Sequence, residues 1–103
     1  MGLYQRLPID RQIAYLMAVY GISKNPARLL HRALTADCKI SIDDFIELFG
    51  KSVNTADEHF KMDNQFRKTI SDLRRMTDSV FLRESGNTYF VYPSAEMKEL
   101  IEQ

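Results

Sequence analysis

The hydrophobic and polar positions of the first forty residues repeat with the period of an α-helix. Apolar side chains recur every three or four positions from Pro8 to Tyr20 and again after Asn25. This spacing predicts two helices that each bury one face. Pro8 and Pro26 suit a first helical turn, Asn25 suits a helix cap, and Gly21 suits the position just past a helix end.

A short extended step and a third helix follow. The dipeptide "KI" predicts a short strand, and "SIDDFIELFG" predicts a helix with Ser41 as its cap. Asp43 and Asp44 fall in the first turn, where the helix dipole favours acidic side chains. The next twelve residues, 51–62, are polar and less periodic. They predict a long loop in which Thr55 caps one short helical turn.

A basic amphipathic helix is predicted over about 63–76, followed at once by a hairpin over 79–92. Phe66, Ile70 and Leu73 recur at i, i+4 and i+7, which is typical of a stripe that faces the core. The runs "SVFLRE" and "TYFVY" are rich in β-branched and aromatic residues, and "SGN" joins them as a three-residue turn. A last short helix follows.

The predicted elements fit a single α+β, mostly helical domain of 103 residues. Three helices followed by a two-stranded hairpin is the order of a winged helix. We therefore predict a winged-helix core over 26–92 with a C-terminal hairpin wing. An N-terminal helical extension, 1–22, precedes this core, and a short C-terminal helix, 93–103, follows it.

Charge is segregated along the chain although the net charge is zero. Residues 1–39 carry six basic side chains against two acidic ones, and residues 40–63 carry six acidic against two basic. Residues 64–92 are basic again. Such segregation can steer a polyanion to one face, but it is also ordinary variation along a short chain.

The sequence favours a cytoplasmic protein. Cys38 is the single cysteine, so no intramolecular disulfide can form, which fits a reducing interior. The first residues lack the apolar run of a signal peptide, and no segment is apolar enough to span a membrane. We therefore expect no membrane partner.

Several short motifs between Leu29 and Val91 occur in one order. They are "ARLLHRAL", then "KISIDDFIELFG", then the predicted long loop, then Phe66, Ile70, Leu73, Arg74 and Arg75, and finally the run from Gly86 to Val91. In this order they resemble the DNA-binding domain of OmpR/PhoB-type response regulators. The second glycine of that family's wing motif is replaced here by Thr88. A helix also stands in place of the family's N-terminal sheet.

The resemblance implies a transcription regulator that binds double-stranded DNA. A winged helix places one helix in the major groove and its wing on backbone or minor groove. Arginine and lysine contact phosphates or guanine, and asparagine and glutamine contact adenine. The predicted DNA-binding residues are Asn64, Gln65, Arg67, Lys68, Ser71, Arg74, Arg75, Arg83 and Asn87. The simpler interpretation is a solvated helix face, with Asn64 as a cap.

The N-terminal helix has more apolar surface than one small core obviously needs. Winged-helix regulators often dimerise through an added helix, so a homodimer is one interpretation. The predicted interface residues are Ile13, Leu16, Met17 and Tyr20. The alternative is that this helix only covers its own domain.

A second function class is a protein-interaction winged helix that acts as an adaptor or inhibitor of a polymerase or nucleoprotein complex. Asp72 and the neutral net charge favour it, and 51–62 with Phe60 is the segment expected to contact RNA polymerase or another protein. His31, Cys38 and His59 match no zinc spacing, and no catalytic arrangement is present, so we expect no metal, no cofactor and no enzyme.

Overall fold

The computed structural model describes residues 2–50 and 53–102, which form an α+β, mostly helical fold. Helices come first and are interrupted by one short strand. A hairpin and a last helix complete the chain. The elements are α1 (Leu3–Arg6), α2 (Ile9–Tyr20), α3 (Lys24–Thr35), β1 (Lys39–Ser41), α4 (Ile42–Phe49), α5 (Ala56–Thr77), β2 (Val80–Ser85), β3 (Thr88–Tyr92) and α6 (Ala95–Glu102).

The three strands form one antiparallel sheet in the order β1-β3-β2. The predicted hairpin is therefore confirmed, and the predicted short strand pairs with its second strand. Thr88, the first residue of β3, pairs with both Ser41 of β1 and Ser85 of β2. β1 and β2 therefore end at the level of the sheet where β3 begins. The turn contains two residues, Gly86 and Asn87, rather than the predicted three. Gly86 has a φ of 51°, a left-handed conformation that glycine adopts without strain.

The predicted apolar stripe of α5 faces the core. Phe66, Ile70 and Leu73 are at most 2% exposed. The Phe66 ring lies 5.6 Å from the ring of Phe45 on α4 and 5.8 Å from the ring of Tyr89 on β3. Aromatic pairs at these distances and tilted orientations stabilise a core beyond the area they bury. α5 is thus fixed against both α4 and the sheet.

The helix caps differ in part from those predicted. Ser41 caps α4 as predicted, because its side chain accepts from the Asp44 amide while the Asp44 carboxylate accepts from the Ser41 amide. Gly21 ends α2 as predicted, in a left-handed conformation. The Asn25 cap is wrong, since α3 begins at Lys24 with Ser23 at the cap position. Pro26 still lies in the first turn, where a missing amide hydrogen costs little.

The predicted long loop is wrong. α5 begins at Ala56, and the Thr55 side chain accepts a hydrogen bond from the Glu58 amide at 3.1 Å. Thr55 therefore caps the main helix and not a separate short turn. The connection from α4 runs only from Gly50 to Thr55, and the two residues 51–52 lie outside the described part. The segment 51–62, expected as a polar contact loop, is thus mostly helical.

The face of α2 predicted to form a dimer interface packs on the chain's own core. Leu16 is completely buried in this single chain, so the prediction is wrong for that residue. Ile13, Met17 and Tyr20 are partly buried against the same core. This packing supports the alternative interpretation, in which the helix covers its own domain.

No described helix is both long and apolar enough to cross a membrane.

A small polar network fastens α1 and α2 to α3. The Gln12 side-chain amide donates to the carbonyl oxygens of Tyr4 and Leu7, at 3.1 and 3.2 Å. Its oxygen lies 2.8 Å from Nε2 of the buried His31. Because an amide oxygen only accepts, the network assigns a donor hydrogen to Nε2 of His31. Burial lowers the pKa of His31, which keeps the ring neutral.

The buried histidine predicts a fold that loses stability as the pH falls. Above pH ~7 the ring is neutral in both states. Below the unfolded-state pKa of about 6.5 the unfolded chain binds a proton that the folded chain does not, so the free energy of unfolding decreases. Urea unfolding between pH ~7.5 and ~5, above the range where carboxylates titrate, measures this slope. His31→Gln should flatten the slope. An unchanged slope in His31→Gln would contradict the assignment.

Candidate nucleic-acid interface

One side of α5 points away from the core over several turns. Phe66, Ile70 and Leu73 face inward, so the positions near the opposite pole of the helix point to solvent. Four of these, at i, i+4, i+7 and i+11, are exposed and form a row about 16 Å long. They are Asn64, Lys68, Ser71 and Arg75, and are called the outward line below. No carboxylate lies on this line.

One ion pair lies beside the outward line, and a second includes its last residue. Arg67 lies 3.3 Å from Asp63, and Arg75 lies 3.2 Å from Asp72. Both arginines are more than half exposed. A pair as exposed as Arg75–Asp72 contributes only about 0–1 kcal/mol, so the Arg75 guanidinium can exchange its carboxylate for a phosphate at little cost. Asp63 holds Arg67 from a partly buried position, with a side chain that is 23% exposed. Lys68 makes no ion pair with any of the residues that the structure describes.

Arg74 has a partner inside the chain. Its guanidinium donates to the Phe81 carbonyl of β2 at 2.6 Å. The Val91 amide donates across to Cys38, so the backbone groups of Val91 face β1. Its partner Phe81 therefore turns its carbonyl towards the free edge of β2. Arg74 covers part of an open sheet edge, a structural role that the prediction of a DNA contact did not include.

The hairpin turn is held against α4 and α5. The Asn87 side-chain amide donates to the Asp63 carboxylate, and the Asn87 carbonyl accepts from the Ile42 amide at 3.0 Å. Arg83 donates to the carbonyl of Gly86 within the same turn. The two hairpin residues predicted to contact DNA are thus used in the fold. Asn87 reaches α5 through Asp63 and not through the outward line.

The sequence interpretation missed two residues of α5. Lys61 is exposed three positions before Asn64 and extends the basic side of the helix. Asp63 joins α5 to the hairpin. Lys61 was missed because the pattern of 51–62 predicted a loop. Asp63 starts the predicted helix, but its partner Asn87 lies 24 positions further along the chain, which a sequence pattern does not show. The signal that reveals the helix start is Thr55 followed by Asp57 and Glu58, a capping residue with acidic side chains in the first turn.

Gln65 takes a different direction from the outward line. It is exposed, and with Phe49, Val53 and Met62 it borders the depression between the end of α4 and α5. Its amide is therefore placed beside the line rather than on it. Of Asn64 and Gln65, the two residues predicted to contact adenine, Asn64 is the more directly accessible to a base.

The described residues with shifted pKa values lie away from α5. Burial raises the pKa of Tyr4 to about 12 and also raises that of Tyr20. Both belong to the N-terminal helices, as does the Gln12 partner of His31. Within 2–50 and 53–102, no three His, Cys, Asp or Glu side chains come together as a metal site.

Comparisons with known proteins give no assignment. No family model matches the chain, and neither a curated protein nor a solved structure matches it significantly.

The contact between Asn87 and Asp63 predicts that Asn87→Asp is strongly destabilising. The two side chains have the same shape, but the substitution places a second carboxylate against Asp63 in a partly buried position. We expect the free energy of unfolding at neutral pH to fall by about 2 kcal/mol or more. Thermal unfolding at pH ~7 and ~4 measures it, and the loss should shrink as the carboxylates protonate.

Asn64→Asp is the matched control for this change. It adds the same charge at an exposed position of α5, the helix that carries Asp63. It should cost less than about 0.5 kcal/mol. Equal losses in the two variants would show that the Asn87 contact has no special importance.

Proposed function

We propose that the chain is a winged-helix protein that binds double-stranded DNA through α5 and acts in transcription regulation. The observation that carries the proposal is the outward line. Asn64, Lys68, Ser71 and Arg75 are exposed together on a helix whose opposite face is fixed in the core. This gives a preorganised row of hydrogen-bonding and basic groups.

The chain topology supports this proposal. From α3 onward the order is helix, strand, helix, helix, strand, strand, and the sheet order is β1-β3-β2. This is the connectivity expected of a winged helix, in which the last helix before the hairpin enters the major groove. That helix is α5. A row of about 16 Å is comparable with the roughly 12 Å width of the major groove.

The side chains of the outward line divide into those suited to bind phosphates, which position the protein, and those suited to contact bases. Lys68 and Arg75 suit phosphate oxygens, and Arg67 lies beside them. Asn64 suits adenine, and Ser71 can serve either base or phosphate. Asp57 lies on the same side of the helix two turns before Asn64. We therefore propose that 64–75, and not the acidic first turns, approaches the DNA.

The hairpin has a supporting role in this proposal. Its strands end level with β1, and its turn is held to Asp63 and Ile42. A hairpin of this length is better suited to holding α5 in place than to reaching a groove of the DNA. The contact with DNA is accordingly narrow and involves few phosphates. We expect a moderate salt dependence, set by about two or three charges.

The double variant Lys68→Ala/Arg75→Ala tests this proposal. Fluorescence anisotropy with random-sequence duplex DNA at about 50 and 200 mM salt measures both affinity and salt dependence. The wild-type protein should bind at the lower salt. The double variant should bind more weakly, and the slope of log K against log salt should fall by roughly two.

Arg11→Ala/Lys98→Ala is the matched control. It removes the same charge from exposed positions of α2 and α6. It should retain most of the affinity and the slope. If both double variants weaken DNA binding equally, the protein attracts DNA only through unspecific charge. Failure of the wild-type protein to bind at about 50 mM salt would reject DNA binding and favour the protein-interaction alternative.

A further inference from the structure

Phe60 is the most exposed aromatic side chain in the described part of the chain. It is 66% exposed although it belongs to the long helix α5. The ring borders a groove of about 410 Å³ between α4, the first turns of α5 and the hairpin turn. Ile42, Ile46 and Ala56 contribute apolar surface to the same groove. Exposed apolar surface beside a depression is typical of a protein contact site.

The charged groups of this groove are acidic. Asp43 and Asp63 line it, His59 is its other described titratable side chain, and none of the lysines and arginines within 2–50 and 53–102 lines it. Asp57 is exposed one turn of α5 before Phe60 and Lys61. Asp43 and Asp57 form no ion pair with described residues. The surface thus combines an apolar floor with carboxylates that repel DNA and attract cations.

We propose that this groove docks a cationic amphipathic helix of a partner protein. The partner inserts one large apolar side chain beside Phe60, and it places lysine or arginine near Asp43 and Asp57. Charge complementarity selects this occupant over an acidic segment or a nucleic acid. Phe60 supplies the apolar contact, since aromatic side chains in partly enclosed positions dominate the energetics of such interfaces.

The groove is distinct from the outward line. Its α5 residues end at Asp63, and the outward line begins at Asn64. Apart from Lys61, the first part of α5 is therefore acidic and apolar, and the second part is mostly basic. This proposal does not depend on DNA binding, and each can fail without the other.

A synthetic amphipathic helix of leucine and lysine, labelled with fluorescein, is a suitable probe. Anisotropy titration with the full chain at low salt measures its affinity. We expect binding that weakens at least about fivefold in Phe60→Ala and again in Asp43→Asn/Asp57→Asn. Lys68→Ala/Arg75→Ala should retain the affinity, which separates this site from the proposed DNA contact.

Two controls match these variants. Leu82→Ala removes an apolar side chain that is 52% exposed on β2, and Glu96→Gln/Glu102→Gln removes two exposed carboxylates of α6. Neither should change the affinity. The proposal is overturned if the wild-type chain does not bind the probe, or if a leucine and glutamate helix binds equally well. It is also overturned if the control variants weaken binding as much as Phe60→Ala does.

Discussion

The position of α5 depends on the burial of Phe66. This side chain is completely enclosed, and its ring contacts Phe45 of α4 and Tyr89 of β3. Phe66 thus joins α4 and α5 to the sheet. With Phe66 inward, the helical period fixes Lys68 and Arg75 outward. The outward direction of the exposed side chains on α5 follows from this aromatic contact together with the burial of Ile70 and Leu73.

The charge on α5 changes along its length. Its first turn holds Asp57 and Glu58, and its last turn holds Arg74 and Arg75. This order matches the helix dipole, which favours acidic groups at the start and basic groups at the end. Stability therefore accounts for the order of the charges. It does not account for the exposure of Phe60, because an exposed aromatic ring gains nothing from the dipole. That exposure, rather than the charges alone, is the basis for the proposed contact surface on the first part of α5.

The sequence predicted the elements with strong hydrophobic periodicity. The stripe of Phe66, Ile70 and Leu73, the Ser41 cap and the two strands of the hairpin were all predicted and are present in the structure. The start of α5 was predicted wrongly. Residues 56–63 contain an exposed Phe60 and only partly buried apolar positions, so the helical pattern is weak there. Periodicity detects burial, and a helix segment that projects beyond the core shows little of it.

The side-chain partners of the candidate site were beyond what a sequence pattern can show. Arg74 and Arg75 are neighbours of the same type, yet one bonds to a strand carbonyl and the other pairs with Asp72. Their directions differ by about 100° around the helix, so only the packing of β2 decides which one is engaged. The wrong prediction of Leu16 at an interface has the same origin. An apolar stripe predicts that a face is buried, but it does not predict which partner covers it.

Asp63 lies at the boundary between the first part of α5, which is mostly acidic and apolar, and the second part, which is mostly basic. Its contacts link both parts to the hairpin turn. Its carboxylate pairs with Arg67 one turn later and accepts from Asn87 of the hairpin turn. It therefore fastens the hairpin with a charge-assisted hydrogen bond while partly neutralising the first arginine of the basic part. A neutral side chain at this position would leave Arg67 free for a polyanion but would weaken the attachment of the turn. The same carboxylate thus connects the stability of the fold to the charge of its exposed surface.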